Sequence, residues 1–326
     1  MQNLISRAAE IALSSNGLSP DQALELIRPM PDHQVVMLMA QANQVRHETM
    51  GDDVELCAIV NARSGRCTED CRFCAQSVNY KAQIEIYPLL DTERMVEHAR
   101  AARSKGVSRF SIVTSGRGVK RDRELERIAD TLGQITGLGL SPCASLGILD
   151  LETAKFLKSA GLVTYHHNLE TAPSYFPQIC TSHTMEERIE TAKVSKQAGL
   201  RLCCGGIMGL GESLEARVEL ALTIRDLEPD SVPLNFLNPI PGTPLAGQPP
   251  MKPMEILQTI AVFRLVLPRT SIRTCGGREK NLRGLQAMMF MAGTNATMTG
   301  NYLTTEGRRP EDDIQDIIDL GLHLKS

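Results

Sequence analysis

The sequence predicts an α/β protein, a closed (β/α)8 TIM-type barrel behind an N-terminal helical extension. Three observations carry that expectation. After about residue 52, short β-branched runs alternate with longer amphipathic stretches, as βαβ units around a parallel sheet require. Each kind of segment recurs eight times, and the first strand-to-helix turn has no Gly-rich phosphate loop, which favours closure over a doubly wound sheet. Ahead of residue 52 the chain shows helical patterning and no β-rich run.

In chain order, residues 1–52 form the helical extension, a cap or docking segment in which Pro20 and Asp21 open the periodic stretch LSPDQALELI. Residues 53–326 form the barrel with its C-terminal tail. Strands are expected at CAIVN near residue 59, RFSIVT near 111, PCASL near 144 and VTYHHN near 165. The second half supplies LRLCCG near 203, SVPLNF near 233, SIRTC near 273 and NATMTG near 297. Helices should begin near Thr92, Asp122, Asp150, Thr184, Ser213, Pro253, Glu279 and Pro310. RRPEDDIQD, at 308–316, reads as a solvated helix start and not an acidic tail.

Composition narrows the function. Against 38 Asp plus Glu stand 35 Lys plus Arg, a net charge of -3, which argues against nucleic-acid binding driven by phosphate neutralisation. Aromatic residues make up 4%, with no Trp, so the core is aliphatic and no base-stacking platform is indicated. No apolar run approaches the ~18 residues of a membrane span, since Arg264 interrupts Ile260–Leu267. MQNLISRAAEIALSSNG carries charge inside its apolar stretch, unlike a secretory signal, and a cytoplasmic location is expected. In a reducing compartment the nine cysteines read as ligands or catalytic groups before disulfides.

The strongest chemical signal is RCTEDCRFCAQ, which sets Cys67, Cys71 and Cys74 in a loop just after the first strand. Three thiolates hold three corners of a four-iron cluster and leave the fourth iron open to another ligand. Structural zinc would call for paired-cysteine knuckles or a nearby His, and neither follows in the sequence. With Phe73 just before the third cysteine, the loop resembles the signature of radical S-adenosylmethionine enzymes. That resemblance implies a 4Fe-4S cluster on Cys67, Cys71 and Cys74, whose open iron chelates the methionine moiety and whose electron generates a 5'-deoxyadenosyl radical.

Further motifs narrow the resemblance to biotin synthase over nearly the whole chain: YHHNLET at 165–171, GGIMGLGE at 205–212, VPLNFLNPIPGTPL at 232–245 and FMAGTNATMTGNYLTT at 290–305. The resemblance implies that Asn168 and Glu170 contact the ribose of S-adenosylmethionine, Arg188 its carboxylate and Ile207 its adenine. Asn168 and Asn235 are implied to face the ureido ring of dethiobiotin. An Asn amide both donates and accepts toward a cyclic urea, and a carboxylate accepts from both ribose hydroxyls. The plainer readings are a turn former for the Asn residues, a cap for Glu170 and a helix-surface charge for Arg188. His166 and His167 are adjacent in one strand, so they are expected to face opposite ways and not to share a metal.

Biotin synthases carry a deeper auxiliary cluster, in its familiar form a 2Fe-2S centre held by three Cys and one Arg. Here Ser111 stands where the first of those cysteines would be, while Cys143, Cys203 and Arg273 match the other positions. Cys275 lies two residues after Arg273, hence on the same strand face; Cys204 follows Cys203 and should point outward. The inner thiolate set is therefore expected to be Cys143, Cys203 and Cys275, alongside Arg273. With three thiolates the auxiliary centre is expected to hold four irons with an extra sulfide on the open one, the alternative being 2Fe-2S. Cys57 and Cys180 read as structural or incidental.

The implied reaction is sulfur insertion into dethiobiotin to give biotin, with no acid-base dyad required. The implied partners are a flavodoxin or ferredoxin type reductant, iron-sulfur assembly machinery and a second copy of the chain in a homodimer, with no nucleic acid or membrane. The competing readings are a hydrogenase-maturase-like or methylornithine-synthase-like radical enzyme, and a non-catalytic iron-sulfur electron carrier.

Overall fold

The computed structural model describes residues 1–325. Three helices come first: α1 (Gln2–Ser14), α2 (Pro20–Ile27) and α3 (Asp32–Met50). Ser19 caps α2 in a reciprocal box with Gln22, and Pro20 fills the first turn, where a missing N–H costs nothing. Then follow β1 (Asp53–Arg63), α4 (Thr92–Ser104), β2 (Arg109–Thr114), α5 (Arg123–Gly137), β3 (Ser141–Ser145), α6 (Leu151–Ser159) and β4 (Thr164–His166). The second half runs α7 (Met185–Gln197), β5 (Arg201–Cys203), β6 (Gly206–Met208), α8 (Leu214–Asp226), β7 (Ser231–Phe236), α9 (Pro253–Val266) and β8 (Ser271–Thr274). It ends with α10 (Arg278–Leu282), α11 (Met288–Met291), β9 (Ala296–Met298), α12 (Pro310–Asp319) and β10 (His323–Leu324).

Every ladder is parallel, and β1 pairs with both β2 and β9, so the sheet closes into the expected barrel. β5 and β6 share one position in it. The chain breaks between them at Cys204 and Gly205, where a Cβ on Gly205 would meet the Pro233 carbonyl oxygen at 2.0 Å. β10 is an extra strand that pairs with the start of β1.

The expected helix starts coincide with real caps. Asp91, Asp122, Asp150, Thr184 and Ser213 each accept a backbone N–H of the first turn of the helix that follows. α9 is buried on all sides from Ile256 to Val266, because α1, α2 and α3 pack over its outer face. That covering explains why the helix carries a nearly unbroken apolar run. Arg264 within it is fully buried, and its guanidinium donates to the carbonyls of Gly293 and Thr270 and to the Asn295 side chain. The start of α12 is less solvated than the sequence suggests: Asp313 is fully buried and pairs with Arg278 at 2.6 Å.

Candidate functional site

The three-cysteine loop leaves the C-terminal end of β1, the end of the barrel where strand-following loops gather. Its shape is fixed by its own backbone. The Cys67 N–H donates to the Gln76 carbonyl, the Val78 N–H to the Cys67 carbonyl, and the Cys74 N–H to the Cys71 carbonyl. Gly65 and Arg66 both adopt positive φ, 73° and 53°, to turn the chain out of the strand. The loop then docks on the segment after β4, where Asp70 accepts the Thr181 and Ser182 N–H groups and the Arg72 N–H reaches the Ile179 carbonyl. Burial raises the Cys67 thiol above its ordinary value and pushes Cys74 up to about 11.

That docking brings in a residue the sequence leaves as incidental. The Cys180 Sγ lies 3.7 Å from the Cys71 Sγ and 3.2 Å from the His183 Nδ1. Cys71, Cys180 and His183 hold their ligand atoms within 4.8 Å of one another. A cysteine and a histidine thus do stand beside the loop, correcting the expectation that none would; they arrive from more than a hundred residues away in sequence. The segment CTSH, a Cys three before a His, is the signal that could have pointed to them. His183 is further tied to the Glu69 carboxylate at 2.5 Å.

Two adjoining cavities fill the mouth. One, of about 210 Å³, is lined by Cys67, Cys71, Cys74 and Arg188. The other, of about 340 Å³, is lined by Phe73, Ile207, Asn235 and Cys275. Cys74, Phe73, Asn168 and Glu170 border both, so the cysteine loop and the deeper thiol line two neighbouring cavities. Each mouth residue singled out from the sequence lies on one of these cavities or on both.

Local bonding sets how these side chains are presented. Arg188 is no surface charge: its Nη1 donates to the Asn168 carbonyl at 2.6 Å, its Nε to His183, and it stands 3.4 Å from the Glu170 carboxylate. Glu170 has φ 68°, an unusual conformation for a residue with a side chain, held by pairing across to Gly206 and Ile207. Asn235 donates to the Gly206 carbonyl and accepts from the Gly276 N–H, which fixes its amide orientation at the cavity wall. Asn168 accepts from the Gly205 N–H at 3.2 Å. The His167 ring stacks on that of Tyr165, two residues earlier, with centroids 6.2 Å apart, while His166 alone of the two also reaches the larger cavity, so the pair alternates as the strand pattern predicts.

Below the mouth lies a buried polar lumen. Arg273, 1% exposed, donates through Nη2 to the Glu55 carboxylate at 2.9 Å, and Arg109 meets the same carboxylate at 2.8 Å. One carboxylate against two guanidiniums leaves an uncompensated positive charge in low dielectric, a demanding arrangement unless an anionic group joins it. Cys143, Cys203 and Cys275 are buried around Arg273, and burial pushes Cys143 up to about 12 and raises Cys203 and Cys275. Arg273 Nε and Nη1 and the Ser111 hydroxyl are buried with no hydrogen-bond partner. Such orphaned donors are what a thiolate-bound iron-sulfur group would engage, and the residues present fit one. Cys204 packs instead into the aliphatic core, as its position beside Cys203 implies.

Comparison with known proteins agrees with this chemistry. Residues 62–224 match the Radical SAM superfamily and residues 233–323 the Biotin and Thiamin Synthesis associated domain. A biotin synthase of Geobacter sulfurreducens is 51% identical over 326 residues, covering 100% of this chain and 99% of its relative. The chain belongs to the biotin synthase family. A biotin synthase of Pelotomaculum thermopropionicum is likewise 51% identical, over 97% of this chain and 94% of the relative. Among solved structures, a methylornithine synthase superposes with TM-score 0.83 at 19% identity, over 99% of this chain and 97% of that one. The FeFe-hydrogenase maturase of Carboxydothermus hydrogenoformans gives 0.82 at 18%, over 98% and 79%. At such identities these two share the fold.

Membership in the biotin synthase family and the Radical SAM superfamily implies a 4Fe-4S cluster with S-adenosylmethionine, and the three-cysteine loop fits that group in ligand number and placement. No helix among the described residues is long and apolar enough to cross a membrane.

Proposed function

We propose that this chain converts dethiobiotin to biotin by radical sulfur insertion. The observation that carries the reading is the pair of adjoining cavities that together reach from Cys67, Cys71 and Cys74 to Cys275, with Cys143, Cys203 and Arg273 beneath them. When bound, the outer cluster with S-adenosylmethionine supplies a carbon-centred radical and an inner iron-sulfur centre supplies the sulfur.

The chain's own residues do the positioning. Arg188, anchored by Asn168, Glu170 and His183, presents a guanidinium to the methionine carboxylate, and Glu170 accepts from the ribose hydroxyls. Ile207 offers an apolar wall to the adenine, and Phe73 borders both cavities. Asn168 and Asn235, their orientations set by backbone partners, face the ureido ring of dethiobiotin and aim its methyl carbon between the two centres. Thr304 and Thr305 also border the larger cavity, so the segment before α12 helps keep bulk water from a radical.

The inner centre reads as four irons with an additional sulfide as the donated atom, on thiolates that include Cys143, Cys203 and Cys275, with Arg273 beside them. A flavodoxin or ferredoxin type reductant, loading by iron-sulfur assembly machinery, a homodimeric state and a cytoplasmic location complete the reading. Anaerobically reconstituted protein, given dethiobiotin, S-adenosylmethionine and a strong reductant, should form biotin together with 5'-deoxyadenosine and methionine. Deoxyadenosine without biotin would reject sulfur insertion, and about two irons beyond the four of the outer loop would reject the four-iron inner centre.

A further inference from the structure

Cys57 reads from the sequence as structural or incidental, yet the strand register places it in the middle of the inner lumen. On β1, Glu55, Cys57 and Ile59 share one face, because side chains alternate with period two. Glu55 holds Arg109 and Arg273 inside the barrel, and Ile59 lines the mouth cavity. Cys57 therefore points inward between them, and it is 4% exposed.

The barrel stagger fixes its height. Cys57 pairs with Arg109 and Arg109 with Ser141, so Cys143 lies one inward position further along β3. Cys143 pairs with Thr164 and Thr164 with Arg201, which puts Cys203 one inward position further along β5. Cys203 leads through Ser231 to Ser271, and Arg273 follows by the same step. Arg273 leads through Ala296 to Glu55, and the step ends on Cys57 again. A shift of two residues on each alternate strand is the stagger that keeps side chains of a closed eight-stranded barrel at one level, with four per layer. Cys57, Cys143, Cys203 and Arg273 are thus one layer, and Cys275 stands one layer nearer the mouth. The electrostatic neighbours agree, since Cys57, Cys203 and Cys275 all act on the Arg273 guanidinium.

We propose that Cys57 is an iron ligand of the inner centre, forming with Cys143 and Cys203 the thiolate layer on which that centre sits. This rests on the reading of an inner iron-sulfur centre. It leaves Cys275 as the lumen thiol nearest the mouth, and it accounts for the serine at position 111: the thiol absent from β2 is matched by one on the neighbouring strand. A buried-hydrophobe role for Cys57 predicts no such placement, because nothing then requires its level to coincide with that of Cys143, Cys203 and Arg273.

The test uses the full chain with Cys67, Cys71 and Cys74 all changed to Ala, so that only the inner centre loads. Iron, acid-labile sulfide and Mössbauer spectra are measured after anaerobic reconstitution with ferrous iron and sulfide, alongside circular dichroism for folding. In this background Cys57→Ala should lose at least half of the inner iron. Cys57→Ser, which preserves volume and offers oxygen in place of sulfur, should change the isomer shift of one iron site, which a packing role would not do. Cys204→Ala, removing the neighbouring thiol that packs into the aliphatic core, should match the background in both readouts. Folded Cys57→Ala and Cys57→Ser proteins with unchanged iron and spectra would overturn the assignment of Cys57 alone. A folded background protein that takes up no iron would overturn the inner centre itself, and the Cys57 assignment with it.

Discussion

Glu55→Gln probes the charge arrangement on which the inner site is built. The carboxylate is buried and bonded to Arg109 at 2.8 Å and to Arg273 at 2.9 Å, one oxygen to each. The amide keeps shape but can accept at only one of the two positions, turns its NH2 toward a guanidinium donor at the other, and strands two guanidiniums without a counter-charge. Removing one partner of a buried pair costs about 3–5 kcal/mol, and that loss is expected in cluster-free protein. In the loaded protein the inner thiolates supply negative charge to the same guanidiniums, so the loss should shrink toward the ~1.5–3 kcal/mol of charge-assisted hydrogen bonds alone. Anaerobic urea unfolding of both forms, for parent and variant, measures the difference. Equal losses in the two forms would refute the idea that anionic ligands share these guanidiniums. A loss under about 1 kcal/mol in cluster-free protein would refute the buried pairing itself. The same variant carries a pH signature. Burial alone would raise the Glu55 carboxyl, but Arg273 and Arg109 outweigh it and hold it below 4.5. Its stabilisation is therefore fully present above about pH 4.5 and lost as pH falls through the lower folded value, an acid limb that Glu55→Gln should lack.

Four further outcomes are expected. Cys275→Ala should abolish biotin while deoxyadenosine formation continues, and unchanged biotin would remove Cys275 from sulfur handling. Arg188→Met should weaken S-adenosylmethionine binding about 10- to 100-fold, the worth of a charge-assisted hydrogen bond, with outer-cluster iron retained; calorimetry on the loaded protein reads it. Asp313→Ala leaves the buried Arg278 with only the more distant Glu279 carboxylate, at 3.5 Å, as counter-charge, and thermal unfolding should show a cost of about 3–5 kcal/mol. Mild oxidation of cluster-free protein should join Cys71 to Cys180, whose sulfurs are 3.7 Å apart, in preference to Cys67 or Cys74; peptide mapping without reductant decides it.

The sequence by itself determined the fold class, most helix starts and the outer cysteine loop, because each is a local matter. Period-two runs give strands, an Asp, Ser or Thr before an apolar stretch supplies a cap, and RCTEDCRFCAQ brings three thiols together within eight residues. It also carried the mouth residues through motifs long enough to be specific, and period two was enough to place Cys275 on the face of Arg273. What it did not hold is register between strands distant in the chain. Cys57 reads as incidental until β1 is paired with β2 and β9, and only barrel closure brings it level with Cys143, Cys203 and Arg273. Cys180 and His183 likewise reach the cysteine loop only through its docking on the segment after β4. Chain-local forces choose the elements, whereas the charge and ligand content of the lumen arise where eight strands converge, a relation that exists only in the folded barrel.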